Sequence, residues 1–172
     1  MTTRNIVVVP YDEKWKFRFE EIAWEVSAAL GELALSIEHV GSTSVEGLAA
    51  KPIIDIDVVI EDENRLPAVV SALAKIGYQH EGNYGIPGRE AFGYEGKTHL
   101  MEHHLYVCPK NSPELRRHLS FRNYLRGHPE ALKEYSRIKE EAARLFPHDI
   151  DGYINHKGTW IEKIYKEIGC EK

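Results

Sequence analysis

Two aspartates, Asp55 and Asp57, stand inside an otherwise apolar run, Pro52-Ile-Ile-Asp-Ile-Asp-Val-Val-Ile60. In an extended chain successive side chains alternate faces, so Ile54, Ile56, Val58 and Ile60 share one apolar face. Ile53, Asp55, Asp57 and Val59 share the other. A strand apolar on this scale reads as buried on both sides. Two like charges there repel each other and resist desolvation, a cost that a bound cation would relieve. Upstream lies Gly41-Ser42-Thr43-Ser44. Glycine lets backbone N–H groups turn toward an anion, and the hydroxyls add donors. A glycine-hydroxyl loop followed by a paired-acid strand suits a nucleotide phosphate site. Each half also has an ordinary reading: two solvated acids at a sheet edge, and a plain turn.

Mg²⁺ takes hard oxygen ligands and is often held by one or two carboxylates plus phosphates, which makes Asp55 and Asp57 its candidate ligands. Lys51 immediately precedes the acid strand and is a candidate phosphate contact, with a surface lysine as the alternative. Arg122 and Arg126 are four residues apart on an expected helix, hence on one face, and could form a phosphate fork or a solvated charged face. In the run Leu100 to Val107, Glu102, His104 and Tyr106 share one face, and Met101, His103, Leu105 and Val107 the other. His103 reads as a satisfied core or edge histidine.

The stretch Glu38-His-Val-Gly-Ser-Thr-Ser-Val-Glu-Gly-Leu-Ala-Ala-Lys-Pro-Ile-Ile-Asp-Ile56 resembles the signature of the GrpB family. His103 to Val107 and Phe121 to Arg126 also look like segments of that family, and the resemblance runs along nearly the whole chain. The family in turn resembles the nucleotidyltransferase superfamily, whose fold uses a Gly-Ser loop and an Asp-x-Asp strand. The resemblance implies that Gly41, Ser42, Thr43 and Ser44 hold a nucleotide phosphate and that Asp55 and Asp57 bind a divalent metal, Mg or Mn, with no organic cofactor. It also implies a third acid on a neighbouring strand. The family pattern there is His-Leu-His, whereas this chain has His104-Leu105-Tyr106. His104 is therefore a candidate catalytic base or metal ligand in place of that acid, and Glu102 a second candidate ligand.

The elements that must position these groups follow from periodicity and punctuation. Ile6 to Val9 reads as an edge strand ended by Pro10. Asp12 reads as the N-cap of a helix over 13–30, with Trp15, Phe19, Ile22, Val26 and Leu30 at helical spacing and Gly31 as its stop. Strands follow at 35–40 and 52–60. Asn64 is the expected cap of a helix over about 65–75, closed by Gly77. Residues 78–97, with five glycines, read as a loose hairpin or lid, and 99–108 as another strand. Ser112-Pro113-Glu114 starts a helix to about Arg126. Two more follow, to about Phe146 and over roughly 150–168. The order implies an α/β (α+β) chain, a mixed sheet with flanking helices and a helical C-terminal third, in a single domain over 1–172. The family resemblance implies the same nucleotidyltransferase-like fold.

The chain has 172 residues, 42% hydrophobic and 28% charged, with a net charge of −5. That balance disfavours a general nucleic-acid binder without excluding a local basic patch. No run approaches the ~20 apolar residues of a membrane span. The N-terminus lacks a signal-peptide core, so a cytoplasmic location is expected. Cys108 and Cys170 form no Cys-x-x-Cys motif, which argues against a zinc ribbon or disulfide scaffold. Cys108 ends an apolar strand and is expected to be buried.

Three functions remain open at this level. The first is a metal-dependent nucleotidyl transfer from a nucleoside triphosphate to an acceptor, with Asp55, Asp57 and His104 as the catalytic set. The second is a binding module for a nucleotide or phosphorylated small molecule without turnover, favoured by the missing third acid. The third is a metallohydrolase centred on His39, His99, His103 and His104, which lacks a His-x-x-x-His or His-Glu-x-x-His spacing. The GrpB resemblance adds that some relatives are fused to dephospho-CoA kinase. Acceptor, metal and oligomeric state are not fixed by the sequence.

Overall fold

The computed structural model describes residues 5–170. Five strands, β1 (Ser36–Val40), β2 (Ile54–Ile60), β3 (Tyr78–Gly82), β4 (Glu90–Tyr94) and β5 (His103–Pro109), form one sheet in the order β1-β2-β5-β4-β3. Only β2 and β5 run parallel; the other neighbours are antiparallel. The helices are α1 (Trp15–Leu30), α2 (Leu66–Ala74), α3 (Pro113–Gly127), α4 (Pro129–Leu145) and α5 (Ile150–Glu167). This is the mixed sheet and helical C-terminal third expected from the sequence.

The alternation in β2 divides the molecule. Ile54, Ile56, Val58 and Ile60 are at most 1% exposed and pack with Leu105 and Val107 of β5 against Ile22, Val26 and Leu30 of α1 and Val69 and Leu73 of α2. Each such side chain contributes roughly 1.5–3 kcal/mol on leaving water. On the opposite face, α3 anchors through Leu115 and Leu119 on Val59 and Cys108, and Cys108 is buried as expected. Val45 and Leu48, just after the Gly-Ser loop, join Leu125, Tyr135, Trp160 and Ile164 in a second core of α3, α4 and α5. The loop is thus held between the sheet and the helical third.

Several boundaries differ from the sequence expectation. Residues 6–9 form no strand; Val9 makes a single bridge to Ala50. Asp12 caps the turn before α1, its Oδ1 accepting from Lys14 N at 2.9 Å. The cap before α2 is Asp62, which accepts from Asn64 N, so Asn64 is the capped residue rather than the cap. The glycine-rich 78–97 segment is an ordered hairpin, β3–β4, with a bulge between His80 and Gly82. Residues 99–102 lie outside β5. Ser112 caps α3 as expected, accepting from Leu115 N, and its hydroxyl also donates to Gly88 O at 2.7 Å.

Candidate functional site

Register places the polar groups of three strands together. Asp55 faces Val40 on β1 and His104 on β5; Asp57 faces Glu38 and Tyr106. Asp55 Oδ1 is hydrogen-bonded to His104 Nδ1 at 2.9 Å. That bond raises the imidazole's pKa above its usual value, against the opposing effect of burial. Asp57 is fully buried, and its Oδ2 accepts from His118 Nδ1 of α3 at 2.6 Å. His118 Nε2 lies 3.4 Å from Glu114. Burial disfavours charge on His118, but its hydrogen bonds to Asp57 and Glu114 and their negative charges outweigh it, lifting its pKa to about 9. Asp57 Oδ1 is left without a hydrogen-bond partner.

The Gly-Ser loop wraps this acid pair. Gly41 has φ +72°, and a β-carbon there would collide with the Asp55 carboxylate. Only glycine suits both the backbone and the close approach. The loop hydroxyls mostly bond to protein groups. Ser42 lies beside the buried Tyr135 hydroxyl. Thr43 Oγ1 lies 2.9 Å from His39 Nε2 and donates to Ile53 O. Ser44 donates to Gly41 O. His39 stacks on Phe19 with ring centroids 4.7 Å apart. Burial depresses its pKa to about 4, so it is a neutral structural histidine.

The arginine pair lies beside the loop, engaged with protein. Arg122 Nη1 bonds Glu38 at 2.9 Å and the His39 carbonyl at 3.1 Å. Arg126 donates twice to the Ser44 carbonyl. The fork is a clamp that ties α3 to β1 and the loop.

On the Asp55 side three lysines converge. Lys139 of α4 is 2% exposed, yet no carboxylate pairs with it among the described residues; its ammonium lies 5.0 Å from the Tyr135 ring centroid. Lys51 and Lys157 both reach the Tyr153 ring, at 5.2 and 4.8 Å. Burial and the neighbouring lysine charge push the Lys139 pKa well down, and burial with the Lys51 charge brings Lys157 to about 8. The Tyr153 hydroxyl is also without a partner. Three lysine amines thus gather on the Asp55 side without a carboxylate partner among the described residues, the kind of surroundings that an anion would relieve.

The histidines of the third sequence reading do not converge. His99 pairs with Glu25, His39 with Thr43, His104 with Asp55. His103 is a satisfied core residue between Tyr78 OH and Met101 O, as its face implied. Among the described residues no group of three or more histidine, cysteine or acidic side chains is arranged to hold a metal ion. Two carboxylates with one orphaned oxygen nevertheless fit a hard divalent cation that draws its remaining ligands from phosphate and water. Glu102, the other candidate ligand, is exposed and lines a groove of about 640 Å³ together with His104 and Tyr106.

The profile of the family described as "GrpB protein" matches residues 5–167. This chain belongs to the GrpB family. It is 37% identical to the crystal structure of the conserved GrpB protein from Enterococcus faecalis, with a TM-score of 0.82 over 94% of this chain and 96% of that one. Glutamate-rich protein GrpB of Alkalihalophilus pseudofirmus is 31% identical over 95% of this chain and 96% of its own length. YqkA of Bacillus subtilis is 35% identical over 92% of this chain, which spans only 46% of that longer protein. Beyond the family, the GLD-2/RNP-8 structure superposes with a TM-score of 0.61 at 14% identity, over 91% of this chain and 61% of that one. Cid1 bound to ApU gives 0.56 at 12% identity, over 80% and 43%. The GrpB fold is thus nucleotidyltransferase-like. No helix among the described residues is long and apolar enough to cross a membrane.

In this GrpB chain the sequence located Gly41, Ser42, Asp55, Asp57 and His104, and the fold brings them together. His118, Lys139 and Lys157 enter the site only through the fold. The only signals were a histidine four residues after Glu114 and lysines among polar helical positions, neither distinguishable from a solvated face.

Proposed function

We propose that this GrpB protein transfers a nucleotidyl group from a nucleoside triphosphate to an acceptor hydroxyl. The observation that carries the reading is the Asp55–Asp57 acid strand, approached by Gly41, with Lys51, Lys139 and Lys157 grouped on the Asp55 side and bonded to no carboxylate among the described residues. Carboxylates suit a metal, lysines suit phosphates, and a metal-bound triphosphate is the ligand that needs both. The nucleotidyltransferase-like fold supports it, and Cid1 in that fold group has been solved with MgATP and MgGTP.

Asp55 and Asp57 would hold a divalent cation, Mg or Mn, which would neutralise phosphate charge and polarise the α-phosphate. The chain's own groups do the rest. Lys139 and Lys157 bind the β- and γ-phosphates, where a largely desolvated ammonium interacts more strongly than it would in water. His104, raised in basicity by Asp55, accepts the proton of the acceptor hydroxyl. The acceptor oxygen bonds to the α-phosphorus, the bond to the bridging oxygen breaks, and pyrophosphate leaves with that electron pair. Arg122 and Arg126 hold the loop in register rather than touching the nucleotide.

A second reading has its own observation. The β5 residues opposite Asp55 and Asp57 are His104 and Tyr106, neither of them an acid, and Asp57 is already bonded to His118. A chain so arranged can bind a nucleotide without turnover. Thermal unfolding with ATP, UTP, GTP or CTP, each with Mg²⁺ or Mn²⁺, tests the site. A ligand at 100 times its Kd adds about 2.7 kcal/mol of stability. A metal-dependent shift lost in Asp55→Asn supports the site, and pyrophosphate release separates transfer from binding. Absence of any shift across the panel refutes both readings.

A further inference from the structure

The groove beside the acid pair has a construction that neither the metal nor the triphosphate accounts for. It has a volume of about 640 Å³, and the interior strands β4 and β5 form its floor. Ala91 and Gly93 lie on the same face as His104 and Tyr106, so β4 adds almost no side chain to the floor. Glu81 of β3 reaches over Gly93: a β-carbon at Gly93 would sit 2.8 Å from the Glu81 carboxylate. Gly93 has no positive φ, so the reason for glycine there is space for that carboxylate.

Beside Glu81 stands Tyr84, the one non-glycine residue with positive φ (+51°) among the described residues. Its turn is fixed by Asn83, whose Oδ1 accepts from Gly85 N at 2.9 Å. The Tyr84 hydroxyl donates to Glu81 Oε2 at 3.2 Å. Tyr106 and His104 form the far wall, and His104 connects the groove directly to Asp55.

Charge decides what such a groove accepts. Its acids are Glu81 and Glu102. Lys97 also borders it, but that ammonium donates to the Ile76 carbonyl and lies 4.6 Å from the Tyr78 ring. Arg89 stacks behind Tyr106 at 4.3 Å and is not part of the lining. His104 is held by Asp55. A nucleic-acid strand needs cations along its phosphates and would meet carboxylates here. An ammonium group finds tyrosine faces and carboxylate oxygens together.

We propose that this groove is the acceptor subsite and that its ligand is a small amine-bearing alcohol, with the ammonium at Glu81 and Tyr84 and a hydroxyl delivered to His104. The proposal rests on the nucleotidyl-transfer reading for the fate of that hydroxyl, but not for binding. In the transfer the hydroxyl oxygen bonds to the α-phosphorus, its proton passes to His104, and pyrophosphate departs with the electron pair of the broken bond.

Binding is measured by NMR on the ¹⁵N-labelled protein without nucleotide or metal, using glucosamine, N-acetylglucosamine, glucose 6-phosphate and a uridine hexanucleotide as probes. Glucosamine is expected to shift the amides of Tyr84, Gly93 and Tyr106, and the neutral and anionic probes to bind at least about tenfold more weakly. Glu81→Gln should weaken glucosamine about tenfold with the rest of the spectrum unchanged. Equal binding of N-acetylglucosamine, groove shifts with the hexanucleotide, indifference to Glu81→Gln, or no glucosamine shifts at all would each overturn the proposal. Pyrophosphate release from MgATP, with and without glucosamine, is followed separately. Amine binding without release refutes transfer and leaves the groove assignment standing; release without amine binding does the reverse.

Discussion

His118 and Asp57 lie 61 positions apart and meet at 2.6 Å, a histidine of α3 closing one oxygen of a fully buried carboxylate while the other stays open. The pair gives a hydrogen-bond partner to a carboxylate that has no access to solvent. It also leaves one oxygen for a cation, so α3 both stabilises the site and orients it.

Removing His118 should therefore expose that cost. His118→Ala leaves a buried carboxylate without its cation, and breaking a buried pair typically costs about 3–5 kcal/mol. Urea denaturation in a metal-free buffer is the measurement. The double variant with Asp57→Asn should recover part of the loss, because the neutral amide needs no counter-charge. Full additivity of the two substitutions would contradict the coupling.

Lys139 predicts the opposite trade. A buried lysine with no carboxylate partner among the described residues costs stability, so Lys139→Met should raise stability by about 0.5–2 kcal/mol. The same variant should lose most of the thermal shift produced by a nucleoside triphosphate. A variant that is less stable yet responds normally to nucleotide would remove Lys139 from the site.

At Gly41 the collision with Asp55 and the left-handed backbone act together. Gly41→Ala should cost about 1–3 kcal/mol from backbone strain alone. It should also displace the Asp55 carboxylate, so the metal-dependent nucleotide response disappears even at temperatures where the variant is folded. Calorimetric titration with MgATP tests this.

His39 gives the pH dependence. Its folded pKa is about 4 against an ordinary 6.5, because burial between Phe19 and Thr43 favours the neutral ring. Between those values the unfolded chain binds more protons than the folded one, so stability falls as pH drops from 6.5 toward 4 and is unaffected above 6.5. The loss amounts to about 3 kcal/mol once the change is complete. His39→Phe should flatten that part of the stability–pH curve in urea titrations, though its stability at pH 7 falls with the loss of the Thr43 contact.

Clamping by Arg122 is testable apart from phosphate binding. Arg122→Ala leaves Glu38 and the His39 carbonyl unpaired at a half-buried site, at a cost of about 1.5–3 kcal/mol. Arg122→Lys should recover only part of it, since one ammonium cannot reproduce the guanidinium geometry. Guanidinium denaturation of both variants decides between a clamp and a solvated charge, for which neither change would register.

By itself the sequence determined the local facts. Alternation in 54–60 placed both aspartates on one face because a strand repeats every two residues. Ser112-Pro113-Glu114 set the start of α3 because those groups satisfy the orphan N–H groups of a first turn. Gly41 before the acid strand marked a turn that only glycine can make, because its φ is positive and Asp55 lies close. Tertiary structure decided everything that depends on separate elements meeting. The glycine-rich 78–97 segment became two strands because pairing with β5 outweighed its local flexibility. Arg122 and Arg126 became a clamp because β1 and the loop lie under α3. His118, Lys139 and Lys157 joined the site only when α3, α4 and α5 packed over the polar face of the sheet. No periodicity within any one helix encodes which charge on another element its side chain will meet.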